Sequence, residues 1–260
     1  MTPGRLTFFA LVLLLGLASR AAAEPAPTFR IRILAARDYR AETLRYRQQL
    51  ERLVAALNHR TSSPQVRFDL VEIRPWDRLS AQASLGELVE DLEKREPGAD
   101  VDWVVGIASA VPLVPTNNIG KARLFGKHFV LRSAAFHHYS PTLVFLHEWA
   151  HTLGAVHVTE AGSLMLPSYD VRAQALDPVN ALVVATVLRA RQAGTPPDKL
   201  LASLRAILRD RGPPWPEYLR EVAPLLSRRA EAPPPCRDRA RERAIDELSP
   251  VRKPAGKGAP

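Results

Sequence analysis

Cysteine is all but missing from this chain. Cys236 is the sole one, so no intramolecular disulfide can form, and none stands near the N-terminus to accept a lipid. Long apolar runs are missing too. The one candidate, Leu6–Ala18, is too short to span a bilayer comfortably. No basic patch is interleaved with aromatics and no nucleic-acid motif occurs, so nucleic acid is not an expected partner. There is no Asp/Asn/Gly loop of the kind that binds calcium, and no internal repeat.

What remains is an ordinary globular composition, 46% hydrophobic and 24% charged over 260 residues, enough for one well-packed domain with appendages. Arg5 precedes the apolar run, and Ala21-Ala22-Ala23 follow it with the small residues a signal peptidase needs. Residues 1–23 therefore read as a signal peptide cleaved after Ala23, and the mature protein as secreted or periplasmic; a retained anchor is the alternative. Losing Arg5 and Arg20 with the leader takes the formal charge from +9 to +7. Such a field would give a weak attraction to acidic cell-envelope surfaces.

Periodicity then orders the chain. Thr28–Ala35 alternates Phe29, Ile31 and Ile33 with arginines and reads as a strand. A helix is expected over Glu42–Asn58, a strand over Val66–Ile73, a helix over Leu85–Arg95 stopped by Pro97-Gly98, and a buried strand over Val101–Ile107. This order is that of an α/β layer. After a Pro-, Asn- and Gly-containing loop, Val111–Gly120, a strand is expected at Lys127–Arg132 and a buried helix at Thr142–Leu153. Helices resume at Pro178–Arg191, Asp198–Arg209 and Glu217–Leu226. The Pro- and Arg-rich stretch 228–260 has too little apolar content to join a core and reads as a solvated tail.

Chemistry is concentrated in His147-Glu148-Trp149-Ala150-His151. On a helix, positions i and i+4 share a face, so His147 and His151 can reach one metal ion. Glu148 lies one residue on and is placed for a water at the metal, as general base. Gly154 can take a left-handed conformation, end the helix and turn the chain back. His157 then supplies a third ligand, leaving the fourth corner of a catalytic zinc site open. The five fixed positions, H-E-x-x-H-x-x-G-x-x-H, should arise by chance about once in ten thousand chains of this length. Leu143, Val144, Phe145, Leu146, Trp149 and Leu153 surround the motif. Histidines and a glutamate buried among them need partners, and one shared metal satisfies all of them.

This segment resembles the metzincin zinc peptidases, in which the same string is followed by a methionine turn. Ser163-Leu164-Met165-Leu166-Pro167 looks like that turn, and Pro167-Ser168-Tyr169 is similar to the segment that walls the S1′ pocket in matrix-metalloproteinase-like members. The resemblance implies an α+β zincin: a mixed twisted sheet, an active-site helix ending near residue 154, and a mainly helical part over 155–227. It further implies that Met165 lies under the metal without binding it, that Pro167 and Tyr169 wall S1′, and that substrate lies along an edge strand. The candidate edge is Lys127–Arg132, with Lys121–Phe125 contributing an upper rim. The spacing from His157 to Met165 is similar to that of archaemetzincins. Those carry cysteines where this chain has Val158 and Ser163, so a second, cysteine-bound metal is not expected. Val158 matches none of the residues that mark familiar subfamilies.

The expected protein is a monomeric zinc endopeptidase of 24–227, with one zinc per chain and a peptide or protein substrate. A non-catalytic zinc-containing binding module of the envelope is the alternative, but it would have no use for Glu148. His128, His137 and His138 read as surface or loop histidines, and Cys236 as a tail thiol. Truncation after Ser227 should leave the melting temperature and metal content unchanged. Thermal unfolding with metal analysis checks this, and a large fall in Tm would shift the domain boundary.

Overall fold

The computed structural model describes residues 26–60, 66–109, 119–138, 140–168, 172–173 and 175–231. The expected leader, Tyr169 and Cys236 lie outside them. Five strands are described: β1 (Thr28–Ala36), β2 (Arg67–Trp76), β3 (Trp103–Ala108), β4 (Gly120–Ala122) and β5 (His128–Arg132). They form one sheet in the order β2-β1-β3-β5-β4, parallel throughout except for β4, which runs antiparallel to β5. Helices α1 (Arg37–Glu42), α2 (Tyr46–Arg60) and α3 (Leu85–Arg95) carry the chain between the first three strands. After β5 come α4 (Ala134–His138) and α5 (Pro141–Thr152), then α6 (Pro178–Gln192), α7 (Pro197–Leu208) and α8 (Trp215–Glu231). The architecture is α+β: a mixed sheet with helices between its first three strands, then a mainly helical part after β5.

Helix α3 shows how local the coding can be. Ser84 Oγ accepts from Glu87 N–H and the Glu87 carboxylate accepts from Ser84 N–H, a closed capping box at its first turn. The helix expected from Glu42, in contrast, is broken. Thr43 is extended and its N–H returns to the Tyr39 carbonyl, so α1 ends at Glu42 and α2 starts only at Tyr46. Contacts remote in sequence hold α1: the Asp38 carboxylate accepts from the N–H groups of Ser80 and Ala81 and from Ser80 Oγ. At the far end, α8 runs through Glu231, four residues past the expected end of the domain at Ser227.

Alternation along the strands assigns the two faces of the sheet. Phe29, Phe68, Trp103 and Phe129 turn to one side, where Phe145 and Trp149 of α5 meet Phe68, Trp103 and Phe129 edge-on and Phe29 meets Trp103, at centroid distances of 5.0–5.7 Å. Each such pair adds about 1 kcal/mol beyond the area it buries. The other side carries Arg32, His128 and Arg132, all bonded to α3 or its flanks. His128 is therefore not a surface residue: it is buried, with Nε2 2.7 Å from the Glu96 carbonyl. His137 and His138 fall on α4, and their side chains lie outside the described residues.

The edge role expected of Lys127–Arg132 falls to another strand. All five residues of β5 are buried, as an interior strand requires, and it is flanked by β3 and β4. The three partly exposed residues of β4 form the margin, so the upper rim becomes the edge itself.

Arg191 ties the helical part to this margin. Its Nη2 donates to the carbonyls of Thr152 at 2.6 Å, Phe125 at 3.0 Å and Gly126 at 2.9 Å, and its guanidinium lies 5.4 Å from the Trp103 ring centre. One cation thus joins α6, the end of α5 and the β4–β5 turn. Arg191→Met keeps the stem and strands three carbonyls. It should lower unfolding stability by about 2 kcal/mol, seen as a lower urea midpoint.

Candidate metal centre

Helix α5 starts with Pro141 at its first position, where the missing N–H costs nothing. It is buried on nearly every side, so its register is fixed by packing. His147 and His151 stand one turn apart, buried and half-buried, with Glu148 buried beside them. The helix ends at Thr152, and Gly154 follows with φ +88°. A Cβ there would come within 2.8 Å of the Phe125 ring and 2.9 Å of the Tyr218 hydroxyl, so glycine is required for space as well as for φ. The reversal brings the Ala155 carbonyl to His151 and carries His157, on the exposed side, back toward the helix.

The three imidazoles converge through their Nε2 atoms: 3.1 Å from His147 to His151, and 3.2 Å from each of these to His157. On the far side of two rings, Nδ1 of His147 donates to the Leu164 carbonyl at 2.7 Å and Nδ1 of His151 to the Ala155 carbonyl at 2.8 Å. A carbonyl can only accept, so both rings carry their proton on Nδ1 and turn a bare lone pair inward. Two lone pairs at such a distance repel unless a cation lies between them. A tetrahedral zinc with Zn–N bonds of about 2.0 Å holds its nitrogen ligands about 3.3 Å apart, close to what is seen. Among the described residues this is the one group of three ligating side chains able to hold a metal.

Electrostatics favours the neutral, ligating form. Burial drives His147 down to about 3, helped by the nearby His151 and opposed by the Leu164 carbonyl. Burial takes His151 down to about 4 against the pull of the Ala155 carbonyl, and it also lowers His157. None of the three rings needs to shed a proton to bind a metal at neutral pH.

The segment after His157 is held by a buried polar cluster that periodicity does not reveal. Asn180, fully buried in the first turn of α6, accepts from Val156 N–H at 2.9 Å and donates to its carbonyl at 3.0 Å. Asn180 also donates to Asp177, the residue capping α6. Ser163 Oγ donates to Asp177 and accepts from Met165 N–H. Met165 is fully buried, and its carbonyl accepts from Val158 N–H, one residue past His157. In the sequence the cluster shows as Asp177, in the cap position before Pro178, and a polar Asn180 among Val179, Leu182, Val183 and Val184. Pro167 is exposed; Tyr169, its expected companion at S1′, lies outside the described residues.

No protein-family model and no curated protein sequence matches the chain. Among solved structures it is similar to archaemetzincin from Methanopyrus kandleri, with 17% identity over 65% of this chain and 99% of that one, at a TM-score of 0.44. It is also similar to metalloproteinase-II from Bacteroides fragilis, with 16% identity over 63% of this chain and 54% of that one, at a TM-score of 0.45. Likeness at this level assigns no function, and the chemistry has to be read from the chain's own residues.

The Asn180 clamp sits next to His157 and, through Asp177 and Ser163, reaches the turn whose Leu164 carbonyl orients His147. Asn180→Ala should weaken zinc binding by up to about 10-fold, the low end for loss of a ligand's own partner, because Asn180 acts through the Val156 backbone. Competition with a chromogenic chelator measures this directly.

Proposed function

We propose that this chain is an exported zinc endopeptidase of the metzincin type, with His147, His151 and His157 holding one zinc per chain. The observation that carries the reading is the inward convergence of three Nε2 lone pairs, two fixed by carbonyls behind them, with Glu148 buried on the same helix. Three imidazoles leave the fourth position to water or substrate. When bound, zinc acts as a Lewis acid toward a carbonyl oxygen and makes water acidic enough to attack at neutral pH.

The chain's own residues do the rest. Glu148 takes a proton from the attacking water and passes it to the amine that leaves, so its carboxylate ends as it began. An extended peptide adds to the margin of the sheet, where β4 has β5 as its sole neighbour among the described residues. Met165 supports the imidazoles from below, and Pro167 borders the pocket for the residue after the scissile bond. Export follows from residues 1–23, and a monomer with a weak affinity for acidic envelope surfaces completes the proposal. No helix among the described residues is long and apolar enough to cross a membrane.

Glu148→Gln keeps size and hydrogen bonding while removing the basic oxygen. It should retain zinc and a near-wild-type melting temperature and lose at least about 100-fold in turnover. Cleavage of a mixed peptide library, read by mass spectrometry with chelator and zinc add-back controls, makes the measurement. Equal cleavage by wild type and variant would sink the mechanism. Zinc binding without cleavage by either would favour the binding-module reading.

A further inference from the structure

We propose that Gly120, on the edge strand, is a positioning residue for Glu148: its missing side chain is the space the carboxylate occupies. This rests on the general-base reading of Glu148. An ideal Cβ built on Gly120 would lie 2.5 Å from Glu148 Oε1, 2.6 Å from Cγ and 2.7 Å from Cδ. Its three nearest neighbours are therefore all atoms of that one side chain. Real Cβ atoms do not approach heavy atoms so closely, so one of the two groups must move.

The surroundings decide which one moves. Strand β4 is pinned by its pairing of Gly120 with Leu131 and Lys121 with Val130, and by the bond from Arg132 N–H to the Ile119 carbonyl at 2.8 Å. Helix α5 is pinned by the aromatic contacts of Phe145 and Trp149. The φ of Gly120 is not in the left-handed region, so alanine suits its backbone. What can yield is the flexible end of Glu148. Gly154 differs, because there a Cβ would strike a phenyl ring and a tyrosine hydroxyl from a left-handed backbone. Glycine at 154 serves the fold; glycine at 120 serves the carboxylate.

A methyl group at 120 would push the carboxylate aside while leaving the three imidazoles where they are. The test combines Gly120→Ala, Glu148→Gln, Glu148→Ala and the double variant Gly120→Ala/Glu148→Ala in the full mature chain. Zinc content, Tm and steady-state cleavage of the best-cut member of a mixed peptide library are measured. Gly120→Ala should keep full zinc content and lose about 100-fold in kcat, the scale of an ångström's misplacement, with little change in KM. It should also lower Tm slightly in the wild-type background. In the Glu148→Ala background, where the obstructing side chain is gone, it should leave Tm unchanged.

Wild-type kcat in Gly120→Ala beside an inactive Glu148→Gln would overturn the role of Gly120 and leave the general base intact. An active Glu148→Gln would instead overturn the reading of Glu148. Loss of zinc from Gly120→Ala would also overturn the proposal, since the ligands rather than the carboxylate would then have felt the added methyl. If wild type cuts no member of the library, the Tm comparison decides. An equal loss in both backgrounds overturns the proposal, and a loss confined to the Glu148 background supports it.

Discussion

The rest of the site depends on a repulsion that the fold enforces. Two imidazoles donate Nδ1 protons to the carbonyls of Leu164 and Ala155, and so turn unshared pairs toward each other and toward His157. Holding such pairs close costs energy, and burial of α5 and the turn at Gly154 carry that cost. A cation at the centre converts the cost into attraction. Folding and metal binding are therefore two parts of one free-energy balance.

The supports of this arrangement come from separate parts of the chain and differ in kind. Beneath the sheet-facing side of α5 lies a stack of aromatic edges, which sets where His147 and His151 begin. Behind His157 lies a polar cluster, Asn180 with Asp177 and Ser163, which sets where the returning segment runs. Apolar packing fixes the register of α5, and an amide bonded to both N–H and C=O of Val156 adds directional bonds. His157, on the irregular segment, thus has the more directional support.

Much of this was legible in the sequence, for reasons that differ from residue to residue. The spacing of His147, Glu148 and His151 translates into geometry because a helix has a fixed pitch, and Gly154 because few residues adopt positive φ. Leu85–Arg95 could be read to the residue because Ser84 and Glu87 encode its start locally. The sheet margin could not be read. Strand β4 has three residues and follows a loop-like stretch, and its membership comes only from pairing with β5. The clamp by Asn180 was equally opaque, since Val156 is 24 residues away. His128 looked like a surface residue because no pattern announces a buried ring bonded to the carbonyl of Glu96.

The brevity of β4 has a consequence for the protein in crowded solution. An unpaired strand margin invites other strands without regard to what they are, including those of a second copy, and long flat margins seed aggregation. This margin offers only three residues, and the middle one is the exposed Lys121. Two copies meeting there would set lysine near lysine for the gain of a very short ladder. At β4, then, a brief and charged margin leaves another copy little to pair with.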